Sequence, residues 1–312
     1  MSPADGVSGR VSGFRSRLHD IWDEYIPVWF LTPMVLFMLS ITVFPGAYDL
    51  YLALTQQDLT QPTTVGAFVG LDNFRAAFTN PNTLTAVKNT LIFVFGALTL
   101  QTLVGFGLAA LVAGVDHRIR GFYRVVFILP MAVAPISLAT ITGIMLNQDV
   151  GVIPYLFEAW TPLATSPQFL SADLAMLTVI LIDTWNWTPF MFIIFYAGLT
   201  SVPEELKEAA RVDGAPLWRV YRHVIIPYMK PVLFVAILIR MIDLFRTFGL
   251  VFTLTSGGPG QATRLLSIHI FESAVQSADF GAAAAVALAY LVFIVALCNV
   301  LIVAVGFKGV WN

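Results

Sequence analysis

Four charged side chains lie inside stretches that are otherwise apolar: Asp183, Arg240, Asp243 and Arg246. A charge in the bilayer interior costs roughly 2.5–3.5 kcal/mol even on insertion scales, so each needs a partner or water. Arg240 and Asp243 stand three residues apart, a spacing that lets them pair on one helix face. One turn on, Arg246 and Thr247 fall on the same side, and Asp183 belongs to the neighbouring apolar stretch, from which it can face them. Such a group is either a polar site near the midplane that touches a solute or an ion-pair cluster that only orients helices. Enzyme chemistry has no comparable support. His19, His117, His223 and His269 are scattered over tail and loops, and Cys298 stands alone, which rules out a disulfide framework.

The elements that would position these charges are membrane helices. The chain is 58% hydrophobic and 12% charged, with a mean hydropathy of +0.80, whereas a soluble domain is about a quarter charged. A net charge of −2 gives no argument for nucleic acid. Six apolar stretches, near 26–48, 89–114, 125–146, 174–200, 231–255 and 281–307, can each cross a core of about 30 Å at about 1.5 Å per residue. With the N-terminus inside, the inner segments hold Arg10, Arg15, Arg17, Arg118, Arg120, Arg124, Lys207, Arg211, Arg219, Arg222, Lys230 and Lys308. The outer ones hold only Arg75, Lys88 and Arg264. That asymmetry places both termini in the cytosol. Residues 1–25 form a polar cytosolic segment, followed by an apolar run too long for a signal peptide. In the third stretch Pro130 and Pro135 are expected to bend the helix and free backbone carbonyls.

The longest polar run, Ser201–Pro227, connects the fourth and fifth stretches. Ser201 and Glu204 have capping-box spacing, Asp213-Gly214 reads as a helix stop, Pro216 suits the start of a second helix, and Pro227 its end. Leu217, Val220, Tyr221 and Val224 make one apolar stripe, with Arg219, Arg222 and His223 off it. From these residues alone, the run is a docking element or an amphipathic anchor at a lipid surface.

Glu208-Ala209-Ala210, Gly214, Val224 and Ile226-Pro227 together resemble the EAA loop of ABC-importer permeases. Gly70-Leu71-Asp72-Asn73-Phe74 with Asn89-Thr90, and Leu254-Thr255 with Gly257-Gly258-Pro259, are similar to patterns of the sugar-importing branch, the maltose, trehalose and glycerol-phosphate type. By residues alone the first of these is also a simple outer cap with turn chemistry. Gly249 departs from the branch, where an Asp or Asn is usual. The resemblance covers about residues 26–307. It implies an all-α integral membrane protein with six transmembrane helices of the type I ABC importer permease fold and both termini cytosolic. It also implies a cytosolic N-terminal segment at 1–25 and a transmembrane permease domain at 26–312, with a cytosolic coupling loop at 201–227.

The resemblance also implies function. The chain would form half of the path for a sugar or sugar derivative in a prokaryotic inner membrane. Its partners would be a second, homologous permease, two ATP-binding subunits and an extracytoplasmic sugar-binding protein. ATP and Mg would be bound by the partner ATPase; the chain itself has no cofactor, no metal site and no Walker A motif. Glu208, Ala209, Ala210, Asp213, Gly214 and Pro227 would couple to the ATPase. Asp183, Asn186, Trp187, Arg240, Asp243 and Leu244 would touch the sugar, whose CH faces stack on aromatic rings while its hydroxyls bond amides and carboxylates. Trp185 and Trp187 also fit a packing or interfacial role. The competing classes are a stand-alone ion-coupled secondary transporter or channel, for which no inverted repeat is visible, and a membrane enzyme, for which no nucleophile–base pair exists.

Overall fold

The computed structural model describes residues 5–60, 63, 65–160 and 165–304, with side chains from Val28 onward. Among these residues the architecture is helical, with only two isolated β-bridges, Thr55 to Phe68 and Asp58 to Asp279. The first helix, α1 (Asp5–Ala53), is continuous through position 25, so no backbone break separates the polar start from the apolar span. Its length from Val28 onward exposes apolar side chains almost all round. A short outer helix, α2 (Asp72–Thr79), then leads into α3 (Pro81–Gly114). That second span begins eight residues before its expected start because Asn80 caps it, accepting from the Asn82 N–H at 2.8 Å, and Pro81 sits at the first helical position.

The third crossing is broken. Helix α4 (His117–Ile128) runs through a 3₁₀ turn at Leu129–Ala132, and α5 (Pro135–Met145) leaves at 88° to it. Pro130 and Pro135 force the bend expected of them. An outer helix, α6 (Val152–Trp160), precedes the fourth span, α7 (Ala175–Ser201), which carries Pro189 within it. The cytosolic reversal then uses α8 (Glu204–Val212) and α9 (Leu217–Val220).

Two expectations for this reversal fail. Ser201 does not cap α8; it ends α7, where its hydroxyl donates to the Gly198 carbonyl at 2.8 Å. Pro203 takes the N-cap position without a side-chain bond, and Glu204 turns to Lys207 and Arg211 instead. Pro227 does not stop the second helix either. A π-turn at Tyr221–Ile225, in which the Ile226 N–H reaches the Tyr221 carbonyl five residues back, leads into α10 (Ile226–Phe245) without interruption. The wider turn makes room for the proline ring against the preceding turn, so helix runs on from Leu217 to Phe245.

This fifth span also ends earlier than expected. Arg246 caps α10, and residues 249–255 form a separate helix, α11 (Gly249–Thr255), packed on α5. Here Gly249 explains its own departure from the sugar-permease pattern: an added Cβ would lie 3.2 Å from Ile136 of α5. The chain continues through α12 (Leu266–Phe271) and a second π-turn, Glu272–Gln276, to the last span, α13 (Phe280–Ala304). The expected end of that span at Phe307, and Lys308, lie outside the described residues. Among the described residues, five helices are long and apolar enough to cross, and up to six crossings form with the bent pair taken as one.

The family-like motifs in the outer loops act as staples. The Asn73 amide donates to the carbonyls of Ala53 and Thr55, both at 2.9 Å, tying α2 to the end of α1. The Asn89 amide donates to Gln261 at 2.7 Å, and the Thr90 hydroxyl accepts from the Leu266 N–H at 2.8 Å. His269, buried on α12, bonds the Thr83 hydroxyl at 3.0 Å; burial and the nearby Arg264 push its pKa down.

Candidate functional site

The charged residues of the spans do come together, and they do so through a residue that charge counting passes over. Gln101 of α3 is fully buried. Its amide donates to Asp183 Oδ2 of α7 at 2.8 Å, and its carbonyl accepts from Arg240 Nε of α10 at 2.7 Å. Arg240 Nη2 closes the ring on Asp183 Oδ2 at 2.5 Å, and Nη1 donates to Asp243. Three helices therefore meet in one ring of hydrogen bonds, with one guanidinium facing two carboxylates. A pair removed from water at this depth holds only when its remaining donors and acceptors are met, which the amide does here.

Exposure divides the members. The side chains of Arg240 and Asp183 are 1% and 3% exposed, whereas that of Asp243 is 48% exposed. Trp187, one helical turn from Asp183 and half-buried, lays its ring over the guanidinium, 4.7 Å from Cζ to the ring centroid. Asn186 is buried and donates to the carbonyls of Pro130 and Val133, at 2.9 and 3.1 Å. It thus holds the acceptors that the break between α4 and α5 sets free. Leu244 is buried in an apolar cluster with Phe93, Val179 and Met241. Trp185 is half exposed on the outer side of α7. Arg246 and Thr247 lie beyond the end of α10 and outside the ring, contrary to the shared helix side expected of them. Arg246 instead borders a cavity of about 680 Å³ with Ser267, Tyr290 and Asn299, which none of the six candidate substrate residues lines.

The second site is the cytosolic reversal. Asp213 caps α8, and Gly214 follows at φ +70°, the left-handed conformation expected of it. The Ala215 N–H returns to the Ala210 carbonyl at 3.0 Å and the Gly214 N–H to that of Arg211 at 3.0 Å, so the helix end is closed by a Schellman motif. Glu208, Ala209 and Val212 are exposed, while Ala210, Val220, Tyr221 and Val224 pack under the loop; Leu217, expected in that stripe, is exposed. Glu204 braces α8 through Lys207 at 3.0 Å and Arg211 at 3.3 Å, and the Lys207 hydrogen bond holds its carboxyl below the ordinary range. Where α7 and α10 leave the loop, Gly198 admits Met229 and Val232, which an added Cβ would meet at 2.7 and 3.1 Å.

Among the described residues no group of three or more His, Cys, Asp or Glu can hold a metal ion. Sequence reasoning missed Gln101 because a lone amide in a span free of Asp, Glu, Lys and Arg gives no periodic or charge signal. Its one trace is that it interrupts an apolar run with a group needing partners.

Comparison with known proteins fits this geometry. Residues 101–305 match the family described as binding-protein-dependent transport system inner membrane component. A probable ABC transporter permease protein, y4oQ of Sinorhizobium fredii, is 32% identical over 88% of both chains. The sn-glycerol-3-phosphate permease protein UgpA of Agrobacterium fabrum is 30% identical over 88% of this chain and 92% of its own length. The trehalose/maltose permease protein MalF of Thermococcus litoralis is 31% identical over 73% of this chain and 76% of its own. A chain in the crystal structure of a bacterial alginate ABC transporter in complex with an alginate pentasaccharide-bound periplasmic protein superposes with a TM-score of 0.74 at 20% identity, covering 90% of this chain and 95% of that one. The shared fold is that of type I importer permeases, and relatives alike along most of their length are permeases throughout: this chain belongs to the inner membrane components of binding-protein-dependent transport systems.

Proposed function

We propose that this permease carries a sugar or sugar derivative inward across the inner membrane of a prokaryote. In this reading it supplies half of the path, beside a second, homologous permease. Two separate ATP-binding subunits, which hold ATP and Mg, drive it, and an extracytoplasmic binding protein delivers the sugar. The observation that carries the coupling half is the reversal at Gly214: a braced helix with an exposed Glu208-Ala209 face, closed tightly and followed by helix that enters the membrane. A face of small side chains beside a carboxylate suits a groove on a partner. Asp213 and Pro227 act indirectly, the first as the cap of α8 and the second within the helix that carries motion away.

For the substrate half, the ring leaves two groups open, the half-exposed Asp243 carboxylate and the half-buried Trp187 ring. An aromatic face beside a carboxylate is the pairing that takes a sugar's CH surface and its hydroxyls. Arg240 and Asp183 stand behind these two, Asn186 fixes the bend, and Leu244 packs, so these four act on the sugar through position. Relatives named for glycerol phosphate and for trehalose and maltose favour this solute class over ions, and with it an importer over a stand-alone ion-coupled transporter.

Reconstitution of the permease pair with its ATPases and binding protein tests the reading. Radiolabelled carbohydrate should enter proteoliposomes only with ATP on the ATPase side and loaded binding protein on the other. Uptake without ATP, driven by an ion gradient, would replace the importer by a secondary transporter.

Topology has its own test. In a chain with Cys298 replaced, cysteines at Asn82 and Asp279 are expected to react with an impermeant maleimide from outside, and a cysteine at Gly214 only from inside. Labelling of Gly214 from outside would reverse the orientation.

A further inference from the structure

We infer that Gln101 is a positioning residue for the sugar path. It fixes the Arg240 guanidinium so that Trp187 and Asp243 are presented together, and it rests on the reading that these two groups face the sugar. An arginine buried as Arg240 is must find its acceptors within the protein. Its planar head has five N–H donors in a rigid fork and cannot give up its charge. Asp183 and Asp243 take one edge each, through Nη2 and Nη1. Nε lies on the inner side, next to α3, where the Gln101 carbonyl is its acceptor at 2.7 Å.

The amide's other end matters as much. Asp183 Oδ2 already receives Arg240 Nη2, and the Gln101 NH₂ group reaches the same oxygen at 2.8 Å. The amide therefore spans the ion pair, accepting from the cation and donating to the anion. Two contacts alone would leave the fork free to swing about Nη1 and Nη2. The third, on Nε, fixes its plane.

That plane is what Trp187 rests on, with Cζ 4.7 Å from the ring centroid. It also sets where Nη1 holds Asp243, the one carboxylate of the three-charge group that is open. A residue on α3 thus governs two side chains on α7 and α10 that it does not need to touch. Glutamate at this position would still accept from Nε but would offer Asp183 no donor; methionine keeps the shape and offers neither.

The test uses the complete reconstituted importer and two independent readouts. The fluorescence of Trp187, obtained as the difference from a Trp187→Phe complex, reports the ring without reference to any substrate. In Gln101→Met its quenching by acrylamide is expected to rise about twofold, as the ring loses its cation. Carbohydrate uptake at half-saturating loaded binding protein should fall about tenfold, the effect of a buried donor left without an acceptor. ATP hydrolysis without binding protein should stay at the wild-type level, and Gln101→Glu, which keeps the acceptor for Nε but gives Asp183 no donor, should recover only a minor part of either effect. Should the methionine variant fail to fold, Gln101→Asn, whose shorter amide cannot reach both partners, replaces it. Unchanged Trp187 quenching at equal complex yield overturns the positioning role. So does a variant in which uptake, basal hydrolysis and thermal midpoint fall together, since that pattern is plain destabilisation. If the wild-type complex imports no carbohydrate, the sugar reading fails, yet the quenching result still decides whether Gln101 sets Trp187.

Discussion

Arg240→Met alone is expected to empty the membrane of folded permease, while Arg240→Met combined with Asp183→Leu and Gln101→Leu restores much of it. The single change leaves Asp183, 3% exposed at its side chain, as a charge without its cation. Breaking a buried pair from one side costs about 3–5 kcal/mol, a large part of a typical stability of about 5–15 kcal/mol. Replacing all three buried members by apolar groups removes the stranded charge, and such replacements are often neutral for folding. Asp243, half exposed, can stay. Yield after detergent extraction and the thermal midpoint followed by size-exclusion fluorescence give the comparison. Wild-type yield and midpoint in Arg240→Met would mean that the ring does not hold the three helices. The triple variant, though folded, should transport poorly, because the guanidinium under Trp187 is gone.

The second large effect lies at the other end of the same helices. Gly214→Val and Glu208→Lys are each expected to abolish the stimulation of ATP hydrolysis by loaded binding protein, with the subunit still inserted and extracted at normal yield. At φ +70° a β-branched side chain is strained by about 1–3 kcal/mol whatever the free space around it, so relief comes by opening the turn. The bonds from Ala215 to Ala210 and from Gly214 to Arg211 then break, and α8 loses its fixed angle to the helix that follows. Glu208→Lys leaves the turn intact and inverts one exposed charge, so it tests the contact face rather than the geometry. Hydrolysis by the reconstituted complex, with and without loaded binding protein, separates the outcomes. Normal stimulation in both variants at equal yield would reduce the loop to an anchor at the lipid surface.

What could be read from the sequence was what depends on near neighbours. Gly214 needed only its own backbone preference, and the bend of the third crossing only Pro130 and Pro135. The failures have a common origin in longer range. Ser201 looks like a cap until α7 is seen to continue through it, and Pro227 looks like a stop until a π-turn accommodates its ring. The candidate substrate residues were the set implied by the resemblance to sugar permeases, yet a resemblance cannot say which atoms remain open. Asn186 is occupied by two carbonyls more than 50 positions away, at separations of 56 and 53. Gln101 bonds partners 82 and 139 positions distant, so nothing local could have singled it out.

The unbroken helix from Leu217 to Phe245 has a mechanical consequence. Its 29 residues make a lever of roughly 43 Å at about 1.5 Å per residue. Val220 and Ile225, both buried, pin its cytosolic end and act as the fulcrum. A tilt of about 5° there displaces the far tip by nearly 4 Å on the same length estimate, about the width of a sugar ring's edge. Arg240 and Asp243 ride near that tip, so small strokes at the loop become ångström-scale travel at the buried charge ring. The π-turn sits directly at the fulcrum, and its looser bonding makes it the compliant part of an otherwise stiff arm.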